Sequence, residues 1–210
     1  MHRENLIMSE IKTIVYCDLE ATGLKSSGRP RISEVSLVAV NIEDVMELHT
    51  QIKSHLPEGP NEIESMLPRV MNKLTVCVYP MSTIQPEVSE ITGLDNYNLS
   101  GQSTFDRNTG ELINNFLARL PAPLCLVAHN GDLYDFPLLK AELERAGIAL
   151  PPDTLCADSY VGIKEIFKNR EGPQQLKKNM DFIRLGRPTS YSLINLHKLL
   201  LGCSPTQSRG

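Results

Sequence analysis

Ile11 to Leu24, IKTIVYCDLEATGL, is the stretch on which the reading of this chain turns. Its apolar, β-prone run Ile14-Val15-Tyr16-Cys17 leads into Asp18 and Glu20 and then into a Thr-Gly turn. Strand side chains alternate between faces, so residues two apart project together, and Asp18 and Glu20 are expected on one side of a strand. Two carboxylates this close repel and raise each other's pKa, a strain that a bound divalent cation relieves. Oxygen donors of this kind suit Mg2+ or Mn2+. Taken alone, an Asp-x-Glu pair is more simply a solvated strand end, and it gains meaning only if further acids converge on it.

Length and composition set the frame. A chain of 210 residues has room for one α/β domain, and 41% hydrophobic with 22% charged residues is ordinary globular usage. The net charge of −4 argues against an overall basic coat for nucleic acid, while leaving room for a local basic face. Five cysteines, with no C-x-x-C pair, suggest reduced thiols better than a disulfide frame or zinc site. The opening MHRENLIMSE has no signal-peptide core and no run is long enough to span a membrane, so cytoplasm or nucleus is the expected compartment.

Beyond the first strand and a basic turn, Lys25 to Arg31, a second strand is expected at Glu34–Asn41 and a third at Met46–Ile52, where apolar and polar residues alternate. Leu56 to Leu67 reads as a surface loop, and Leu74 to Val78 as a short strand or a packed loop. A short helix is expected from Pro86 to a stop at Gly93. Ser103 to Asp106 resembles a capping box before Leu112, Ile113, Phe116, Leu117 and Leu120 at helical spacing. Leu124–Ala128 is apolar throughout, as a central strand is, and a helix follows from Pro137 to Ala146. A strand at Thr154–Asp158, a helix to about Lys168 and a last helix at Ser190–Leu201, with Leu193, Leu196 and Leu200 on one side, complete the order. The fold class is α/β, one mixed central sheet flanked by helices. Lys164 to Arg187 carries a net +4 against −8 for the remainder, and reads as a solvated or phosphate-contacting loop.

Ala128 to Leu139, AHNGDLYDFPLL, supplies further acids where a strand ends and a helix begins; Asp132 or Asp135 alone could be no more than a helix cap. Together with DLEATGL, SEITGL, LPRV and the later Ser190-Tyr191-Ser192-Leu193, this order of motifs resembles the DEDDh 3'-to-5' exonucleases, and among them the TREX group, from about residue 12 to 206. The resemblance implies a ribonuclease H-like fold, a homodimer, DNA 3' ends as substrate and two-metal phosphodiester hydrolysis with Mg2+ or possible Mn2+. It implies an exonuclease domain at residues 11–206, behind an N-terminal extension at 1–10 and before a tail at 207–210. Asp18, Glu20 and Asp135 match the family's catalytic metal carboxylates, and Asp132 a non-ligand position. Ala21, Leu24, Ile91 and Tyr134 match substrate-contacting positions, and Arg119 an arginine that reaches across the dimer.

The chain departs from that pattern in three ways. No proline-rich stretch occupies Leu56 to Leu67, and Lys25 stands where a proline is common. After SPTQSRG, where the family pattern continues with a His and, five residues on, an Asp, the chain ends. None of His2, His49, His55, His129 and His197 has an Asp at that offset. Loss of a general base costs roughly 100- to 10,000-fold in rate, so the resemblance implies a domain whose last helices are missing, marginally stable and impaired in hydrolysis. The alternative is a catalytically silent form that binds nucleic acid or dimerises.

Overall fold

The fold is described from a computed structural model covering residues 11–23, 28–55, 60–70, 72–169 and 190–201. Strand β1 (Thr13–Ala21) pairs antiparallel with β2 (Ile32–Asn41), and β2 with β3 (Asn72–Cys77). Strands β4 (Leu124–Ala128) and β5 (Leu155–Asp158) then add in parallel to β1, giving the sheet order β3-β2-β1-β4-β5. This mixed sheet is the expected architecture, with the acid-bearing strand at its centre. Val15, Cys17, Leu37, Leu126 and Ala128 form its buried middle, covered by Ile113 and Leu117 and by Leu139 and Leu143 from two helices.

The expected third strand at Met46–Ile52 is instead part of helix α1 (Ile42–Ser54). Alternation holds there only over a few residues. In a wider window Ile42, Val45, Leu48, His49 and Ile52 recur at helical spacing, and these are the half-buried positions while their neighbours are exposed. Glu43 and Asp44 in the first turn favour the helix further. The loop expected at Leu56–Leu67 likewise holds a short helix, α2 (Pro60–Met66), with proline at its start. The third strand is β3.

Other boundaries moved by a few residues. Helix α3 (Pro86–Thr92) ends on Gly93 at φ 75°, a left-handed position that glycine takes without steric cost. Helix α4 (Arg107–Ala118) is capped by the Asp106 carboxylate, which accepts from the Thr109 N–H at 3.0 Å, so the cap sits three residues after the expected Ser103. Helix α5 (Asp135–Arg145) begins two residues early, at Asp135 itself. Helix α6 (Ser159–Asn169) follows β5 directly. Helix α7 (Leu193–Leu201) buries Leu196, whereas Leu193 is exposed, because the chain enters the helix at that residue. Of the basic segment Lys164 to Arg187, residues from 170 onward lie outside the described residues. Among the described residues no helix is long and apolar enough to cross a membrane.

One ion pair fixes α5 against the β1–β2 connection. Arg31 holds Glu142 in a two-pronged grip, Nε to Oε1 at 2.6 Å and Nη2 to Oε2 at 3.2 Å, while Arg145 approaches the same carboxylate from its own helix. Glu142 is 1% exposed, so its charge depends on these partners. Arg31→Ala is expected to cost about 3 kcal/mol, read as a lower urea midpoint. Replacing both partners by apolar residues, Arg31→Met with Glu142→Leu, should recover most of that loss.

Candidate active site

The cleft lies where β1 and β4 end. Alternation along β1 sends Asp18 and Glu20 to one face, and the register shifts between Glu20 and Ala21, turning the strand end as it leaves β2. From β4 the chain passes through His129-Asn130-Gly131-Asp132 into α5. Asn130 takes a left-handed φ of 64°, and a Cβ on Gly131 would meet the Ala128 Cβ at 2.6 Å and the Phe136 ring at 2.8 Å. The glycine therefore lets this turn close down on α5. Asp135, the first residue of that helix and 9% exposed, places Oδ1 3.2 Å from the Leu19 N–H, which donates to it. The two acid-bearing segments, 116 residues apart in sequence, are thus joined by a hydrogen bond.

Asp18, Glu20 and Asp135 line one cavity of about 330 Å³, together with Ala21, Ile91 and Tyr134. Burial and the charges of Asp18, Glu34 and Asp135 push Glu20 up to about 7. Burial and Asp18 push Asp135 up to about 6, against the lowering effect of the Leu19 N–H. Asp18 faces the open cleft, yet the surrounding protein, followed by Glu34, raises it as well. Among the described residues no group of three or more His, Cys, Asp or Glu side chains stands close enough to grip an ion as placed. The Cys17 thiol beside them is raised to about 12 by burial and by Asp135 and Asp18, so it stays protonated.

Of the substrate positions implied by resemblance, Ala21 sits at the end of β1, and Ile91, on α3, is 82% exposed at the cavity edge. Tyr134, 42% exposed, immediately precedes Asp135. Leu24 lies outside the described residues. Arg119 is exposed at the C-terminal cap of α4 and is not among the cavity-lining residues. Asp132 is exposed, and its N–H is donated to Asp158.

Two contributors, Glu34 and Asp158, escaped the sequence. Glu34 stands across β1–β2 from Glu20, accepts a hydrogen bond from the Cys77 thiol at 3.2 Å and adds a fourth negative charge behind the cleft. Asp158 accepts from the backbone N–H groups of Asn130 at 2.9 Å, Asp132 at 3.2 Å and Tyr160 at 2.8 Å, which holds the β4–α5 turn and keeps its carboxyl below the usual range despite some desolvation. His129, in the same turn, has Nδ1 3.0 Å from Ser159 Oγ and Nε2 2.8 Å from the Tyr191 carbonyl, which ties the turn to α6 and to the approach to α7. Position along the chain carries no sign of the first two, because one acts through strand register and the other through distant amides.

An acid with a raised folded-state pKa contributes stability that is fully present below its ordinary value and lost as pH rises through the folded value. For Glu20 and Asp135 that window runs from their ordinary 4.5 and 3.8 up to about 7 and 6. The cation-free protein should therefore melt lower at pH 8 than at pH 5. Glu20→Gln should raise the melting temperature at pH 8 and change it little at pH 5, and added Mg2+ or Mn2+ should stabilise the wild type chiefly at pH 8. Differential scanning fluorimetry across this range checks all three.

No family model matches the chain. Among curated proteins it is similar to three-prime repair exonuclease 1 of Bos taurus, 39% identical over 201 residues, covering 94% of this chain and 58% of that protein. It is also similar to three prime repair exonuclease 2 of Homo sapiens, 44% identical over 158 residues, covering 73% of this chain and 61% of the relative. The chain therefore spans about three-fifths of the relatives it matches. Among solved structures, E. coli exonuclease I in its zinc-bound complex with single-stranded DNA superposes with a TM-score of 0.65 at 14% identity, over 95% of this chain and 37% of that one, which establishes the ribonuclease H-like fold. With the acid-bearing β1, the β4–α5 turn and the sheet order all in place, the chain is a homologue of the three-prime repair exonucleases.

Proposed function

We propose that this chain is a 3'-to-5' exodeoxyribonuclease domain, residues 11–206, acting on DNA 3' ends with two divalent cations, Mg2+ or Mn2+. The observation that supports the reading is the convergence of Asp18, Glu20 and Asp135 on one cavity, where burial, followed by neighbouring carboxylates, raises all three pKa values. The donor set fits such ions: it is all oxygen, negatively charged and lined up along one strand end and one helix start. When bound, the cations neutralise the scissile phosphate and lower the pKa of the attacking water.

The chain's own groups account for holding and positioning. Asp18, which lines the same cavity as Glu20 and Asp135, would be the carboxylate shared by both ions, as the family resemblance implies. The Leu19 N–H fixes Asp135, so that carboxylate is aimed before any substrate arrives. Ile91 offers an exposed apolar surface at the cleft edge for a terminal base, Tyr134 a ring and hydroxyl beside Asp135, and the Ala21 backbone a contact for the 3' end. Leu24 would add a second apolar contact. Arg119, exposed at the end of α4, would reach a second copy in a homodimer.

One observation favours a slower reading. His129 is the one histidine lining the described cleft, and both its ring nitrogens are engaged. The described cleft thus offers carboxylates for cations without a free imidazole to take the proton of the attacking water. On that reading the polypeptide holds DNA ends more effectively than it cuts them.

The test is a 3'-labelled single strand incubated with the 210-residue chain. Mg2+-dependent loss of label, stopped by EDTA and reduced at least 100-fold by Asp18→Asn or Asp135→Asn, is the expected result. Saturable binding of the 3' end with no turnover in Mg2+ would select the end-holding reading. Absence of both would remove the nuclease assignment.

A further inference from the structure

A second pocket of about 130 Å³ adjoins the acidic cleft and shares Gly23 and Pro30 with it. Its remaining lining is Thr22, Gly28, Arg29, Ser82, Thr83 and Gln85. Among the described residues no carboxylate lines it, and the side chains of Arg29, Ser82, Thr83 and Gln85 are exposed, so a guanidinium, two hydroxyls and a carboxamide present hydrogen-bond donors to one small space.

The walls of this pocket are built by the backbone. Thr22 and Arg31 are locked together, the Thr22 N–H donating to the Arg31 carbonyl at 2.9 Å and the Arg31 N–H to the Thr22 hydroxyl at 3.1 Å. The Gln85 N–H reaches the Thr22 carbonyl at 3.3 Å, which ties the opposite wall to the end of β1. Asn96 clasps Ile84 through both its amide atoms, at 3.1 and 3.4 Å. Just before Ser82, Met81 takes a left-handed φ of 54° while its side chain is 64% exposed, a conformation that costs energy for a residue of this kind and buys it no burial. The turn it makes aims Ser82 and Thr83 at the pocket.

We propose that this pocket is a subsite for a phosphodiester group of the polynucleotide whose 3' end enters the cleft, with Arg29 as its charged anchor. The inference rests on the nuclease reading and extends it. The cleft's carboxylates repel phosphate unless cations intervene, whereas the adjacent pocket offers one arginine and neutral donors that hold a phosphate oxygen without any cation. Arg31, by contrast, is committed to Glu142 and cannot serve. Because the pocket adjoins the cleft at Gly23 and Pro30, the phosphate it meets belongs to a DNA end seated in the cleft, and comparing a duplex with a single strand shows which strand supplies it.

Binding in EDTA, where hydrolysis is blocked, separates this subsite from the cation-dependent cleft. Fluorescence anisotropy of a labelled blunt duplex and a labelled single strand is measured against the wild type, Arg29→Ala, Arg29→Lys and Ser82→Ala with Thr83→Ala. Arg29→Ala is expected to weaken duplex binding by roughly 10- to 100-fold and to flatten its salt dependence by about 0.9 in slope, with Arg29→Lys recovering part of the affinity. Equal weakening for the single strand would mean that the phosphate comes from the cleft-bound strand and would still support the subsite. Unchanged affinity and salt slope for both DNAs, while the wild type still removes a 3' label in Mg2+, would overturn the subsite alone. A wild type that neither binds nor cuts would take the nuclease reading down with it.

Discussion

Everything at the cleft depends on Asp135 being held where α5 meets β1. A carboxylate at a helix start is tolerated by the local dipole, but tolerance does not aim it. The Leu19 N–H does, and that amide is available because it lies at the end of β1, past the last residue of β1 that pairs with β4. The turn that delivers Asp135 is constrained in its own right. Gly131 admits a backbone approach that no other residue allows, and the Asp158 carboxylate holds two N–H groups of the turn, those of Asn130 and Asp132. The carboxyl cluster is therefore a product of backbone hydrogen bonds made before any ion or substrate is considered.

Most of the sheet and the Asp18–Glu20 pair were legible because each has a local physical signature, whereas Asp135 was separated from Asp132 only by the family resemblance. Alternation around Asp18 and Glu20 marks a strand face, the run Leu124–Ala128 marks a strand buried on both faces, and HNGD between a strand and a helix marks a tight exit. The helix at Ile42–Ser54 was not, since four residues at period two fall within a longer stretch whose half-buried side follows helical spacing. Only the wider window separates the two. Exposure was illegible in the same way: Ile91 in α3 has the sequence of a core residue, and its 82% exposure arises because α3 lies at the cleft edge and buries none of its residues. Glu34 needed the register of β1 on β2, and Asp158 the position of amides some 26 to 28 residues earlier in the chain.

The molecule treats its buried and half-buried acids in two contrasting ways. Glu142, almost wholly inside, receives Arg31 and Arg145 and so has its charge offset by the fold itself. Asp18, Glu20 and Asp135 receive no ion-pair partner among the described residues, and Glu34 makes their position worse. The arginines that reach α5 go to Glu142, two turns along the helix from Asp135, and none of them pairs with the cleft acids. An uncompensated cluster kept at the mouth of a cavity costs stability in the cation-free protein, and that cost persists only where something outside the chain removes it. On the proposed reading, divalent cations held by oxygen supply that counter-charge, and a phosphate is the group that such cations would then attract.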